Sequence, residues 1–328
     1  MRYPKFIDLD STIGVCAPSC GVGRKIQDFE KSIHTLKAFG FRVKETASVR
    51  NNGMVSNDVV TRSNEFNDLI KDPNINMVMT ATGGDFCLET LPYLDYDAMN
   101  KNPKWIMGAS DPTSILYVTT TALDIATIYG MNAGSFDDDP LHDCQFNCVE
   151  ILKGNMIEQN SFPFYEKDKN FSAKRRKLTE PVEWKTINGD FHVNGRIIGG
   201  CIDVLRNMVG TPYDFTKHFV DKYGKDGIIW YFDVFSMSSE DLYLSLFQMK
   251  LAGWFNHAKA VILGRVMYPQ QFNDDFDYCD AIKKIFGNLP MVYDADIGHV
   301  FPKMTIINGS MGYVKCSNGI GSIEMELK

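Results

Sequence analysis

The chain has no run of about 18 apolar residues, so it lacks a segment of the length a membrane-spanning helix needs. The opening MRYPKFIDLD carries charge throughout and lacks the apolar region of a signal peptide, so the chain is expected to stay in the cytoplasm. Positive charge is not in excess. The net charge of −7 argues against a nucleic-acid partner. Closely spaced zinc-type cysteine pairs are also missing. The eight cysteines include Cys16/Cys20 and Cys144/Cys148, each with three intervening residues, and several others lie in apolar runs. They read as reduced thiols, and no metal site is expected. There is no internal repeat and no low-complexity tract.

At 328 residues, two domains are the natural division. Ser11–Pro18 reads as a first strand, followed by an amphipathic helix over 24–39 with Ile26, Phe29, Ile33, Leu36 and Phe39 at helical spacing. Strands follow at 41–47, 75–82, 105–109 and 128–131, with helices at 57–71, 88–94 and 113–122. Strands alternating with helices at this spacing predict an α/β fold with a parallel sheet covered on both faces. Ligands of such sheets bind at the carboxyl ends of the strands.

Two candidate positions fall at such ends. Gly83-Gly84-Asp85 follows the third strand but lacks the G-x-G-x-x-G pattern of a dinucleotide loop, which weighs against a nucleotide-binding Rossmann enzyme. The other is Lys104-Trp-Ile-Met-Gly-Ala-Ser-Asp-Pro-Thr113. Trp105 to Met107 is a buried strand, Gly108 permits a tight turn, and Asp111-Pro112 reads as a helix start with Asp as N-cap. Ser110 then sits at a strand-to-helix turn, where a nucleophilic hydroxyl has backbone amides beside it. The same ten residues are also compatible with an ordinary capping turn.

Residues 155–190 change character and read as a linker and lid, in which Phe164 and Trp184 either touch a ligand or anchor the loop to the core. The basic run Lys174–Lys177 reads as a solvated loop rather than a nucleic-acid patch. From Val193 the chain is strand-rich: 196–202 leading into 204–209, then 227–235, 260–264, 291–293, 304–307, 312–315 and 322–327, with helices at 239–252 and 278–286. Asp233 interrupts the apolar strand Gly227–Phe235. Of six histidines, His299 stands out, in a strand-following Asp296-Ile-Gly-His turn.

Taken together, the ordered pieces resemble the LD-carboxypeptidase and microcin C self-immunity group of serine peptidases. They are Ile13-Gly-Val-Cys-Ala-Pro-Ser19, Gly83-Gly84 with Leu91-Pro-Tyr-Leu-Asp95, Gly108-Ala-Ser-Asp111, Gly199-Gly200 with Gly210-Thr-Pro212, Ala252-Gly253 with Gly264, and Asp296-Ile-Gly-His299. The long linker, the missing Arg before Gly83-Gly84 and the Gly227-Ile-Ile-Trp-Tyr pattern look more like the self-immunity branch. The resemblance implies a Rossmann-like N-terminal domain (1–154) and a smaller β-rich α+β C-terminal domain (191–328). It also implies a homodimer and no cofactor. By the same resemblance Ser110 is the nucleophile, His299 the base, and the Gly84 and Asp111 amides the oxyanion donors; Gly83 and Asp85 beside them, and Trp184 of the lid, are the candidate substrate contacts. The family acid is a Glu, and Asp233 stands nearest that place, with Phe232 the alternative register. The implied substrates are an L,D-peptide bond of muropeptides or a peptidyl-aspartyl nucleotide amide. A non-catalytic binding homologue is the alternative.

Overall fold

Apolar strands and amphipathic helices alternate through the first half of the chain. The computed structural model describes residues 1–167, 176–270, 272 and 275–328, and these divide into two units, Met1–Met156 and Ile157–Lys328. In the first unit, β1 (Thr12–Cys16), β2 (Arg42–Glu45), β3 (Met77–Thr80), β4 (Trp105–Gly108) and β5 (Thr127–Tyr129) alternate with helices. The helices are α1 (Ile26–Ala38), α2 (Val59–Lys71), α3 (Tyr96–Lys101), α4 (Thr113–Leu123) and α5 (Asp143–Leu152). The strands lie in the order β5-β4-β3-β1-β2, and every pairing among them is parallel. β1, β3 and β4 are nearly all buried, as strands covered on both faces must be.

Each helix has a local cause. In α1, Phe29, Ile33 and Leu36 line one buried face, and Gly40 at φ +95° turns the chain into β2. In α2, Asp58 caps the start by accepting the Thr61 N–H at 3.0 Å. α4 is buried from Thr113 to Thr121, which suits a helix apolar on all sides. Its threonines satisfy their hydroxyls internally: Thr119 donates to the Ile115 carbonyl at 2.7 Å and Thr121 to that of Tyr117 at 2.8 Å. The sequence expectation of Asp111 as the cap of this helix is corrected. Pro112 is the N-cap residue, with no side-chain cap, and the Asp111 carboxylate turns elsewhere.

The second unit holds β6 (Gln159–Asn160), β7 (Phe164–Glu166), β8 (Leu178–Pro181), β9 (Lys185–Ile187), β10 (Phe191–Cys201) and β11 (Ile228–Asp233). It continues with β12 (Ala258–Gly264), β13 (Met291–Ala295), β14 (Ile306–Asn308), β15 (Met311–Ser317) and β16 (Ile320–Glu326). Its helices are α6 (Ile202–Leu205), α7 (Thr216–Lys222), α8 (Ser239–Leu251) and α9 (Tyr278–Phe286). One sheet runs β6-β16-β15-β10-β11-β12-β13-β9. Its centre, β10 to β13, is parallel, and its flanks are antiparallel. Residues 204–209, read from sequence as strand-like, begin in α6 instead. The stretch 155–190 supplies the two edge strands β6 and β9 together with the separate β7–β8 pair. Of the basic run, Lys174 and Arg175 lie outside the described residues; Arg176 pairs with Glu166 at 3.0 Å and stacks on Phe301. Among the described residues no helix is long and apolar enough to cross a membrane.

The parallel centre depends on close backbone approach. A Cβ on Gly199 would stand 1.8 Å from the Tyr231 carbonyl oxygen across the β10–β11 pair. Gly199→Ala is therefore expected to lower unfolding stability by about 1–3 kcal/mol, read as a shifted urea midpoint. An unchanged midpoint would show that β10 has room to move.

Candidate active site

In the first unit, β4 ends at Gly108 and Ser110 follows with φ +68°. A non-glycine residue held in the left-handed region costs on the order of 1–3 kcal/mol, and it persists only where its surroundings fix it. Here they do. The Asn132 side chain accepts the Ala109 N–H at 3.1 Å and donates to the Ala109 carbonyl at 3.3 Å. Asn132 is itself held by the Thr80 hydroxyl at 2.6 Å. The Ser110 N–H donates to the Tyr129 hydroxyl at 3.2 Å, and the Ser110 carbonyl accepts the Thr113 N–H at 2.9 Å. Residues from β3, β5 and the loop after β5 thus hold the turn that points Ser110 outward.

Gly83 and Gly84 sit against this turn. A Cβ on Gly83 would lie 2.9 Å from the Ser110 Cβ and 3.0 Å from its Oγ, so only a bare backbone fits beneath the hydroxyl. A Cβ on Gly84 would meet the Ser19 hydroxyl at 2.2 Å and the Cys20 sulfur at 2.6 Å. Among the described residues, no hydrogen bond engages the Gly84 or Asp111 amide N–H. Asp85, next in sequence, is exposed. The Asp111 carboxylate is 4 % exposed. It accepts the Cys87 N–H at 2.7 Å and the Ser19 hydroxyl. Burial pushes its pKa up, and the bonds from Ser19 and Cys87 pull back against that rise.

A residue outside the sequence expectations fixes the loops on either side. Arg62, 1 % exposed, donates to the carbonyls of Pro18 at 2.5 Å, Phe86 at 3.1 Å and Asn57 at 2.9 Å, and pairs with Glu89. The signal was present in the sequence: an arginine at a core-facing position of α2, between Val59 and Phe66. Tyr129 and Asn132 gave no comparable signal, because nothing in their local pattern points toward Ser110.

In the second unit the carboxylate lies at the end of β11. Asp233 is 0 % exposed, and a buried acid is costly unless paired. Its partner is His299, in the turn after β13. The His299 Nδ1 lies 2.9 Å from Asp233 Oδ1 and 2.8 Å from Oδ2, and the His299 backbone N–H donates to Oδ1 at 3.2 Å. A carboxylate accepts only, so Nδ1 carries the ring proton and Nε2 is left as the basic nitrogen. Phe232, the alternative register, stacks on Trp230 instead. Gly298 has φ +105°, and a Cβ there would stand 2.1 Å from Asp233 Oδ1. The ring of Phe235 lies against that of His299, with centroids 4.6 Å apart. Cys201 ends β10 directly beside Asp233 in the strand register.

Asp296 anchors the same turn. It is fully buried and accepts Arg265 Nη1 at 2.5 Å, the Trp184 indole N–H at 2.9 Å and the Phe162 N–H at 3.1 Å. Burial pushes its pKa up, with the Arg265 charge pulling down against it. Trp184, expected from sequence at the substrate, is 1 % exposed, and its ring lies on Gly321. It therefore supports the Asp296 turn rather than presenting a free ring face.

Family models place the chain. Residues 13–130 match the LD-carboxypeptidase N-terminal domain and residues 194–314 the LD-carboxypeptidase C-terminal domain. The chain belongs to this family of carboxypeptidase-type serine hydrolases. A carboxypeptidase homologue from Vibrio cholerae is 27% identical over 335 residues, covering 99% of this chain and 98% of the relative. The microcin C7 self-immunity protein MccF of Escherichia coli is 27% identical over 298 residues, covering 85% of this chain and 82% of its own length. Its structure with aspartyl sulfamoyl adenosine has the same fold, with TM-score 0.85, 22% identity and 99% of both chains covered. The muramoyltetrapeptide carboxypeptidase of Oxalobacter formigenes shares the fold at TM-score 0.75 and 20% identity, over 96% of this chain and 98% of that one.

Gly298→Ala is expected to separate Asp233 from His299. Nitrogen NMR of the imidazole should show the proton fixed on Nδ1 in the native protein and lost from it in the variant. An unchanged imidazole spectrum would mean the pair does not depend on the bare Gly298 backbone.

Proposed function

We propose that this chain hydrolyses an amide bond of a small peptide conjugate through an acyl-enzyme, with Ser110 as nucleophile, His299 as base and Asp233 in place of the family's Glu. The observation that carries the proposal is the bond from a buried carboxylate to His299 Nδ1. It fixes the tautomer that a general base needs and stabilises the imidazolium that forms. The held, left-handed Ser110 turn supplies the second part, with the Gly84 and Asp111 amides engaged in no hydrogen bond among the described residues.

The steps follow from these roles. His299 Nε2 takes the Ser110 proton as the Ser110 oxygen attacks the carbonyl carbon. The Gly84 and Asp111 amides hold the developing oxyanion. His299 then gives its proton to the leaving amine, which departs and leaves the acyl-serine. A water attacks that ester, its proton passing to His299, and the acid product is released. Gly83 supplies a bare floor beneath the hydroxyl, and Asp85 is an exposed charge at the rim. The substrate is an L,D-peptide bond of a muropeptide or a peptidyl-aspartyl nucleotide amide. The first class fits the muramoyltetrapeptide carboxypeptidase relative and the second fits MccF, whose structure holds an aspartyl sulfamoyl nucleoside. The protein works without a cofactor, as a cytoplasmic homodimer.

The test is to incubate the protein with a muropeptide and with an aspartyl-nucleotide amide side by side. Hydrolysis of one is expected. Ser110→Ala should lower the rate at least about a thousandfold, and Asp233→Asn by about 10³–10⁴-fold through the wrong tautomer, both with the fold intact. Full activity in Ser110→Ala would overturn the nucleophile assignment. Failure of a serine-reactive probe to label Ser110, with ligand binding retained, would favour the non-catalytic alternative.

A further inference from the structure

Cys201 has no part in the proposed hydrolysis, yet its sulfur, an Asp233 carboxylate oxygen and a His299 ring nitrogen all lie within 4.8 Å of one another. The three come from the ends of the neighbouring strands β10 and β11 and from the turn after β13. We propose that they form an inhibitory site for a thiophilic divalent cation of the Zn²⁺ type.

The donor set is one soft sulfur, one imidazole nitrogen and one carboxylate oxygen, the mixture that Zn²⁺ selects. Zinc–ligand bonds of roughly 2.0–2.3 Å put tetrahedral ligands between about 3 and 4 Å apart. The observed cluster needs only small side-chain movements to reach that. Three protein ligands leave a fourth position open. The charges also fit. A thiolate and a carboxylate around a divalent cation sum to zero, which suits a site where Asp233 is 0 % and Cys201 2 % exposed. The His299 side chain, 11 % exposed, gives the cluster its opening.

The neighbouring groups argue against a nucleophilic role for Cys201. Burial first, then the Asp233 and Asp203 carboxylates, push its thiol well above the ordinary range. The sulfur also lies 3.7 Å from Asp203 Oδ2, and that carboxylate accepts the Phe235 N–H at 2.9 Å, so it is tied to the backbone. A cation displaces the thiol proton to solvent and takes the place of the Nδ1 proton between His299 and Asp233, and that proton moves through water to Nε2, so the imidazole stays neutral. With its ring nitrogen on the metal and its carboxylate partner drawn to the same ion, His299 no longer serves as base.

The test uses metal-free protein titrated with Co²⁺, whose thiolate bond gives a near-ultraviolet charge-transfer band. The native chain is expected to take up one Co²⁺ with that band, and Zn²⁺ to displace it. Cys201→Ala should remove the band and weaken Co²⁺ binding more than about tenfold. His299→Gln should weaken binding as strongly, and it carries the test if Cys201→Ala fails to fold. No band in the native protein, or a band unchanged in both variants, overturns the proposal. The inhibitory consequence rests on the hydrolase proposal and has its own arm: Zn²⁺ should stop hydrolysis by the native protein, while Cys201→Ala resists it relative to its own metal-free rate. Co²⁺ binding with no hydrolysis in any arm would sink the hydrolase reading and leave the metal site standing. Equal Zn²⁺ sensitivity of the two proteins would overturn the inhibitory role.

Discussion

A carboxylate at the end of a wholly buried strand must find a partner, and that requirement organises the second unit. Asp233 follows five apolar residues of β11 and is closed off from solvent. It is satisfied by the His299 ring and by the His299 backbone N–H, which requires the turn after β13 to come within hydrogen-bond reach. Gly298 is the condition for that approach. The same turn carries a second buried acid, Asp296, held by Arg265 and Trp184. Removing one partner of such a buried pair costs roughly 3–5 kcal/mol. The imidazole is therefore held from two sides by groups whose release is expensive.

The first unit meets a different constraint. There the strained element is the Ser110 backbone, and the compensation comes from uncharged groups: the amide of Asn132, the hydroxyl of Thr80 and the phenol of Tyr129. Asp111 extends the pattern. Its carboxylate spans to the Cys87 amide and Ser19, so the serine turn, the glycine loop and the first strand's exit loop share one buried acid.

Much of this was readable beforehand, and for physical reasons. Strongly periodic stretches such as α1 and the apolar strands β3, β4 and β11 announce themselves, because burial of a face or of a whole strand imposes a pattern. Gly108 and the lone acid in β11 are legible because steric or charge constraints explain them, whereas the need for a bare backbone at Gly298 shows only in its approach to Asp233. Other features were not. The edge strands β6 and β9 are two and three residues long, too short to show a period. Helices α5 and α7 mix polar and apolar residues without a clear apolar stripe, so the glycines that follow them, Gly154 and Gly224, punctuate a pattern too weak to read. The role of Asp111 was misassigned because Asp before Pro at a helix start reads as a cap, whereas tertiary contacts claimed its side chain. Trp184 could be a ligand contact or a core anchor from sequence alone, and its packing on Gly321 decides for the anchor.

The Arg62 clamp has an evolutionary consequence. One guanidinium grips the carbonyls of Pro18, in the loop after β1, and Phe86, in the loop after β3. Neither loop can lengthen or shorten by itself without dropping a buried cation's acceptor. Variation in loop length within the first unit is thereby steered away from these two loops, toward surfaces the arginine does not touch.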